Sequence, residues 1–567
     1  MPTAPYAALH RQSAGRLTNG PAAAAAFGGL AVISVSLVAL GVLTASAGHT
    51  KAGAVLSANA VESANAVESA NAVEANDACA NGFPADFVWG LGTAAYQIEG
   101  GWNATNRSPS IWDVFSHTKG AVAGGDTGDV ADDVIHRWRD DIALMSELGL
   151  KHYRFSLSWS RMMSWDGHSM VPNEPGIAWY SDFLDGLLEA GITAHVTLYH
   201  WDLPQALHEH RGGWHTPDNE RILTEFEAYA TLAFERLGSR VATWFTFNEP
   251  WTFTVLGYGS GSKAPGKPYA DVRTGPYLAG HNVLLAHAAA VRAFRETAAA
   301  SGGAIGITNN IDWREPLTAA PEDVAAAERA REWWLAWFCD PIWRGDYPPS
   351  MRASLGERLP TFTPSEVESL QGSADFFGLN HYGSSFVVAQ PNGKHYGKHY
   401  GEGNGESYWR DYEALALHSE EMKEEAAASA WLYSVPWGLR KLLSWVKRRY
   451  GNPPLYVTEN GWSTPGNESV EAGVADGSRV RFLANYTSEL RRAIYEDGVD
   501  VRGYYAWSLL DNFEWEMGYS ERFGLVYTDY ATQRRHPKAS ARWLAAVASA
   551  NALVDPAGFA GAPPAPP

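Results

Sequence analysis

Thr243-Trp244-Phe245-Thr246-Phe247-Asn248-Glu249-Pro250 and Leu455-Tyr456-Val457-Thr458-Glu459-Asn460-Gly461 are two runs rich in aromatic and β-branched residues, each closing on a glutamate beside an asparagine. Such short apolar runs bounded by turn signals predict buried strands, here Thr243 to Asn248 and Leu455 to Glu459. Pro250 ends the first run, and Gly461 permits the backbone to turn at once after the second. Each strand thus delivers one carboxyl group at its C-terminal end. A single glutamate there is usually a solvated or paired surface group, but two of them, far apart in sequence, suit a reaction that needs one carboxylic acid and one carboxylate on opposite faces of a bond. Glycosidic cleavage through an oxocarbenium-like transition state is that kind of reaction.

Working outward from these two runs, six more candidate strands appear: Phe87 to Gly92, His152 to Trp159, Thr193 to His200, Ala304 to Asn309, Phe376 to Asn380 and Gly503 to Ser508. Amphipathic stretches of helical period lie between the strands, among them Asp140 to Leu148, His281 to Arg295 and Trp437 to Tyr450. Eight strand and helix units, with polar residues gathered at the strands' C-terminal ends, predict an α/β fold: a single (β/α)8 TIM barrel over residues 83–550. Lys447-Arg448-Arg449 reads as a helix end complementing the helix dipole. The Gly-rich stretch Gly383 to Ser407, with its doubled Gly-Lys-His-Tyr at Gly393 to Tyr400, is expected to be a surface loop rather than a metal tract. The acidic cluster Asp126, Asp129, Asp132 and Asp133 lacks the spacing of a calcium loop and is expected to be a solvated face.

The 567 residues are 46% hydrophobic and include 24 Trp, 25 Tyr and 21 Phe, enough for a large core. A net charge of -19 argues against nucleic acid as a partner. With only Cys79 and Cys339 there is neither a disulfide framework nor a zinc cluster. No acidic residue precedes Glu62; Arg11 and Arg16 precede an uncharged run from Pro21 to Ala47 that closes on Ala45-Ser46-Ala47. Residues 1–50 therefore read as a signal peptide or an uncleaved anchor, with a plastid transit peptide as the remaining alternative. The first two readings put the barrel in the secretory lumen, outside the cell or in a vacuole, the anchor adding a membrane attachment through residues 21–47. Residues 51–82, with three copies of Ser-Ala-Asn-Ala-Val-Glu from Ser57 to Glu74, form a low-complexity linker, and 551–567 a Pro/Ala-rich tail. Asn103, Asn106, Asn467 and Asn485 head N-glycosylation sequons.

Further strings accumulate: Phe87-Val88-Trp89-Gly90, Ala95-Tyr96-Gln97-Ile98-Glu99-Gly100, Tyr153-Arg154-Phe155-Ser156, Leu198-Tyr199-His200-Trp201-Asp202-Leu203-Pro204, Gly378-Leu379-Asn380-His381-Tyr382 and Trp507-Ser508-Leu509-Leu510-Asp511-Asn512-Phe513-Glu514-Trp515. With the two glutamate motifs, they make residues 83 to 543 resemble the β-glucosidases of glycoside hydrolase family 1, and His381 and Trp431-Leu432-Tyr433 resemble its plant-type members. The resemblance implies a retaining β-glycosidase in which Glu249 is the acid/base and Glu459 the nucleophile. It implies that Arg154 and Tyr382 orient the nucleophile, that Asn248 meets the sugar 2-hydroxyl, and that Gln97, His200, Trp201, Tyr382, Glu514 and Trp515 form the sugar pocket over a Trp507 floor. Trp431 matches an aglycone platform. No cofactor and no metal is implied.

Two departures stand out. Ile135 replaces an aromatic residue, a packing change, and Lys263 interrupts the loop leading to Ala264-Pro265-Gly266 near the aglycone entrance. The expected substrates are β-D-glucosides, with β-galactosides and β-fucosides beside them. A transglycosidase using the same machinery, and a catalytically silent sugar-binding barrel, are the competing readings. The natural aglycone and the oligomeric state are not legible in the chain.

Overall fold

The computed structural model describes residues 81–390 and 407–559. The predicted targeting segment, the hexapeptide linker and the doubled Gly-Lys-His-Tyr lie outside the described residues.

Eight parallel strands close into a barrel: β1 (Val88–Gly92), β2 (His152–Ser156), β3 (Thr193–Tyr199), β4 (Val241–Asn248), β5 (Ala304–Asn310), β6 (Phe377–Asn380), β7 (Leu455–Asn460) and β8 (Val501–Trp507). Each strand pairs with its sequence neighbours, and β1 pairs with both β2 and β8. Parallel pairing requires a crossover between successive strands, and each crossover includes an amphipathic helix. These are α1 (Val134–Glu147), α2 (Glu174–Glu189), α3 (Glu220–Leu237), α4 (Gly275–Glu296), α5 (Pro364–Leu370), α6 (Trp437–Tyr450) and α7 (Gly477–Tyr495), with α8 (Ala539–Ala550) following β8. The expected TIM barrel is thus observed, with strand ends within about two or three residues of the predicted ones.

Packing between the two layers follows from the periodicity. On α3, Ile222, Phe226, Tyr229, Ala233, Phe234 and Leu237 are buried at helical spacing. Phe234 meets Trp244 of β4 edge-on at 5.0 Å, while Phe226 stacks on Phe247 at 4.6 Å. Truncating Phe234 to alanine would lose its transfer energy and leave a cavity, costing about 3–5 kcal/mol. At the end of α6, the predicted basic turn is present and the chain leaves through left-handed Gly451. Lys447 donates there to the carbonyls of Asp497 and Gly498.

Irregularities in the barrel fall where the glutamates are. Between Phe245 and Asn248 the register of β4 against β5 shifts. Thr246 then bonds His287 of α4 and Phe247 packs on α3, two successive residues facing outward. Asn248 is thereby turned inward. The register of β7 shifts in the same way between Val457 and Glu459, so Thr458 reaches Asn380 while Glu459 also enters the barrel mouth. Bulges beside active sites re-aim side chains in this manner.

Three expectations are corrected. Ser384–Ala389, read as part of a loop, is a strand between Trp313–Pro316 and Ala414–Leu417. Asp132 is fully buried rather than solvated; burial pushes its carboxyl well above the ordinary range, and neither oxygen has a hydrogen-bond partner among the described residues. Gly461 is required for close approach rather than for an unusual turn, since a Cβ there would lie 2.1 Å from the Trp507 carbonyl oxygen.

Candidate active site

At the C-terminal mouth of the barrel a cavity of about 390 Å3 is lined by His200, Trp201, Asn248, Glu249, Tyr382, Trp431, Glu459, Trp507, Glu514 and Trp515, among others. Ten of the twelve residues singled out in the sequence therefore share one space. The other two, Gln97 and Arg154, are fully buried directly behind it and hold lining residues in place.

Glu459 sits at the end of β7 with a cation and a hydroxyl on its oxygens. Arg154 of β2 donates from Nη1 to Oε1 at 2.8 Å, and the Tyr382 hydroxyl donates to Oε2 at 2.8 Å. Burial raises the pKa of Glu459 above the ordinary value, and Arg154 opposes that rise. Glu249, one residue past β4, has no such cation on its oxygens. It accepts from the Asn380 amide at 2.8 Å and from the Thr252 hydroxyl at 2.9 Å. Burial first, and the neighbouring Glu459 charge second, push its pKa up to about 8. Two carboxyl groups in one cleft are therefore driven apart in acidity, one keeping its proton near neutrality and one supported as an anion by a guanidinium.

Asn248 knits this arrangement together. Its Oδ1 accepts from Arg154 Nη2 at 2.6 Å and from Asn380 Nδ2 at 3.1 Å, so its Nδ2 is left to donate to His200 Nε2 at 2.9 Å. Burial and the Arg154 charge hold His200 well below its ordinary pKa, keeping the ring neutral. A neutral imidazole that accepts at Nε2 carries its proton on Nδ1. That N–H has no protein partner among the described residues. Gln97 offers a matching acceptor: its Nε2 donates to Asn512 Oδ1 and the Phe513 carbonyl, both at 2.9 Å, leaving Oε1 unpaired. The Gln97 amide also approaches Glu514 at 3.4 Å, and burial followed by the Glu521 charge pushes Glu514 well above the ordinary carboxyl range.

Indole rings shape the rest. Trp201 packs against Trp515 at 4.3 Å and donates from Nε1 to the Asn248 carbonyl at 2.9 Å. Trp507 is buried, and its ring lies 5.8 Å from His200. Trp431 is 50% exposed at the rim, edge-on to Tyr382 at 5.7 Å. Trp201, Glu249 and Trp515 all adopt positive φ, of 77°, 50° and 50°. Side chains tolerate that region poorly, and such residues gather at functional sites.

Several residues in the site carry no role in the reading of the sequence. Asn380 ends β6 as Asn248 ends β4, a polar residue closing an apolar run that was there to be noticed. Thr252 and Trp251 follow Pro250 on the helical turn that begins there. Asn310 supports Thr252 at 2.9 Å. Trp334 and Trp409 come from helical segments distant in sequence, Glu332–Ala336 and Tyr408–Asp411, and no local signal sets them apart from core tryptophans. Lys263, noted as a departure, is in the cavity wall: its ammonium pairs with Glu516 and lies 5.4 Å from the Trp201 ring centre.

The model for the family described as Glycosyl hydrolase family 1 matches residues 79–553. The chain belongs to glycosyl hydrolase family 1. It is 46% identical to Beta-glucosidase 42 of Arabidopsis thaliana over 472 residues, 81% of this chain and 93% of that one. Against Beta-glucosidase 1B of Phanerodontia chrysosporium identity is 44% over 480 residues, 83% and 86% of the two chains. Among solved structures, a family 1 β-glucosidase from the fungus Humicola insolens in complex with glucose superposes with a TM-score of 0.78 at 42% identity, covering 83% of this chain and 99% of that one. The family 1 fold is thus shared with a solved fungal structure, and the similar chains come from both a plant and a fungus.

Proposed function

We propose that this chain is a retaining β-glucosidase in which Glu249 is the acid/base and Glu459 the nucleophile. The observation that carries the reading is the unequal environment of the two carboxyls: Glu249 raised to about 8 without a cation on its oxygens, Glu459 bonded to Arg154 and Tyr382. In the first step a Glu459 oxygen bonds to the anomeric carbon as the glycosidic bond breaks, and the Glu249 proton passes to the departing oxygen. Once the covalent α-linked intermediate has formed, ionised Glu249 takes a proton from water. The water oxygen bonds to the anomeric carbon, the ester to Glu459 breaks, and the product keeps the β configuration. That both glutamates have their partners in place speaks against a silent sugar-binding barrel.

The sugar is recognised by polar groups at and behind the cavity wall, two of which have no protein partner among the described residues. His200 Nδ1–H is a donor, Gln97 Oε1 an acceptor, and Glu514 holds the far end where the 4- and 6-hydroxyls would lie. A hydroxyl that leaves one of these buried groups unmatched is discriminated against, so glucosides come first and galactosides and fucosides follow at some loss. Trp507 forms the floor and Trp431 stacks on the leaving group.

The reading also includes entry into the secretory lumen through the segment Pro21 to Ala47, as a cleaved signal or an anchor. Asn103, Asn106, Asn467 and Asn485 are all exposed, which supports their use as glycan acceptors there. No helix among the described residues is long and apolar enough to cross a membrane. The experiment for the enzymatic reading is proton NMR of the hydrolysis of an aryl β-glucoside. β-Glucose should appear first and mutarotate later; α-glucose as the first product would reject a retaining mechanism.

A further inference from the structure

Outside the sugar pocket, the cavity has two unlike walls. One is indole: Trp251 and Trp334 stack at 3.5 Å, Trp409 meets Trp251 edge-on at 5.9 Å, and Trp431 stands at the rim. The other is carboxylate. Glu516 and Glu521 line it beside Glu514, and Met517 adds an exposed thioether. Lys263 is the single lysine or arginine among the cavity-lining residues, and Glu516 already neutralises it. Asp312, on the indole side, has Arg314 at 3.8 Å. Glu521 has no ion-pair partner among the described residues; its oxygen accepts the Ser429 hydroxyl.

We propose that the leaving group this cavity is built for is a flat aromatic body carrying a positive charge, and that an anionic leaving group is selected against. The inference rests on the β-glucosidase reading and names the substrate class for that site. Three physical terms point the same way. Flat rings gain stacking and area burial against indole faces. Indole faces are negative at their centres and attract cations; Arg314 already covers one face of Trp334 at 4.3 Å and Trp251 the other, so the half-exposed Trp431 is the ring a cationic leaving group meets. The unpaired Glu521 carboxylate, in a cleft that screens charge less than water does, attracts a cation and repels an anion. Burial raises the Glu521 pKa, and a cation beside it favours the ionised form. The net charge of -19 adds a long-range attraction of the same sign that salt screens.

The test uses three aryl β-glucosides with one phenol leaving group, carrying at the end of a para propyl chain a trimethylammonium, a methoxy or a carboxylate group, so that the intervening methylenes insulate the phenol and leaving ability is nearly matched. The neutral glucoside reports on the glycosidase reading itself: no turnover of it means that reading fails. Given turnover, kcat/KM for the ammonium compound should exceed that for the carboxylate by about tenfold at low ionic strength, with the difference in KM, and the ratio should shrink as salt is added. In Glu521→Gln the ratio should fall by about threefold or more at the same salt. Equal values, or a preference for the carboxylate, in the unmodified enzyme would overturn the proposal. An unchanged ratio in a folded Glu521→Gln would overturn the role of Glu521. Should that variant fail to fold, a ratio in the unmodified enzyme that does not respond to salt overturns the electrostatic account.

Discussion

Arg154 and Glu459 form a fully buried ion pair at 2.8 Å, and the other arm of the same guanidinium holds Asn248 at 2.6 Å, one residue before Glu249. One side chain of β2 thus registers the ends of β4 and β7 against each other. The spacing between the two glutamates is set by a rigid, bidentate group rather than by loops. Replacing Arg154 by methionine removes the partner and leaves a buried carboxylate uncompensated, at a cost of about 3–5 kcal/mol. Thermal unfolding should show that loss. Among molecules still folded, the acid limb of kcat/KM should move to higher pH, because Glu459 then holds its proton longer.

With the roles proposed above, the alkaline limb belongs to Glu249. Its protonated form does the work of the first step, so kcat/KM should fall with an apparent pKa near 8. In Glu249→Gln that limb should vanish for a glucoside whose leaving group needs no proton. A limb of unchanged position in this variant would assign it to another group.

The same shift has a sign in stability. The folded-state value of about 8 lies above the ordinary 4.5, so the folded protein holds a proton that the unfolded chain gives up as pH rises. Ionising Glu249 is therefore penalised only in the folded state, increasingly between about pH 4.5 and 8 and constantly above. Glu249→Gln should accordingly raise Tm, by little at pH 5 and by most at pH 8. Calorimetry across that range checks it, and a gain largest at low pH would contradict it.

Tyr382 and Trp431 touch edge-on yet should behave oppositely. Tyr382→Phe deletes a 2.8 Å hydrogen bond to a charged group and should lower kcat by about ten- to a hundredfold for any aglycone. Trp431→Ala, at a half-exposed site, should change stability by less than about 0.5 kcal/mol and raise KM only for aromatic aglycones. Comparing an aryl glucoside with glucosyl fluoride separates the two.

A phosphate on the sugar 6-position would put its negative charges beside Glu514, where burial and the Glu521 charge already resist ionisation, in a pocket whose sugar end has no cation to receive them except Lys263, already paired with Glu516. The enzyme should therefore reject 6-phosphoglucosides. Rates with one common aglycone decide this, and a preference for the phosphorylated sugar would overturn the placement of Glu514.

Apolar runs capped by a glutamate made the barrel and the placement of Glu249 and Glu459 at its mouth readable, because strand burial and the position of the strand end are both local properties of the chain. Trp437–Tyr450 was readable for the same reason, its helical period being self-contained. Asn380 as the donor to Glu249, and the stack of Trp251 on Trp334, were not, since they exist only when strand ends and helical segments distant in sequence meet at the barrel mouth. Asp132 misled in the other direction: four acidic residues in eight positions look like a solvated face, and only packing against the segment around Arg535 buries one of them. The role of Gly461 was hidden likewise, because the atom that forbids a side chain there belongs to Trp507, 46 residues further along.

The most direct test of the account is to trap the intermediate. A 2-deoxy-2-fluoroglucoside with a good leaving group should inactivate the enzyme by forming the covalent glycosyl ester and slowing its hydrolysis, and mass spectrometry of the digested protein should find the sugar on Glu459. Glu459→Ala should escape labelling and regain turnover with azide, giving a glucosyl azide of inverted configuration. A label on Glu249 or any other residue would contradict the assignment of the nucleophile, and complete hydrolysis with inversion and no labelled species would contradict the double displacement itself.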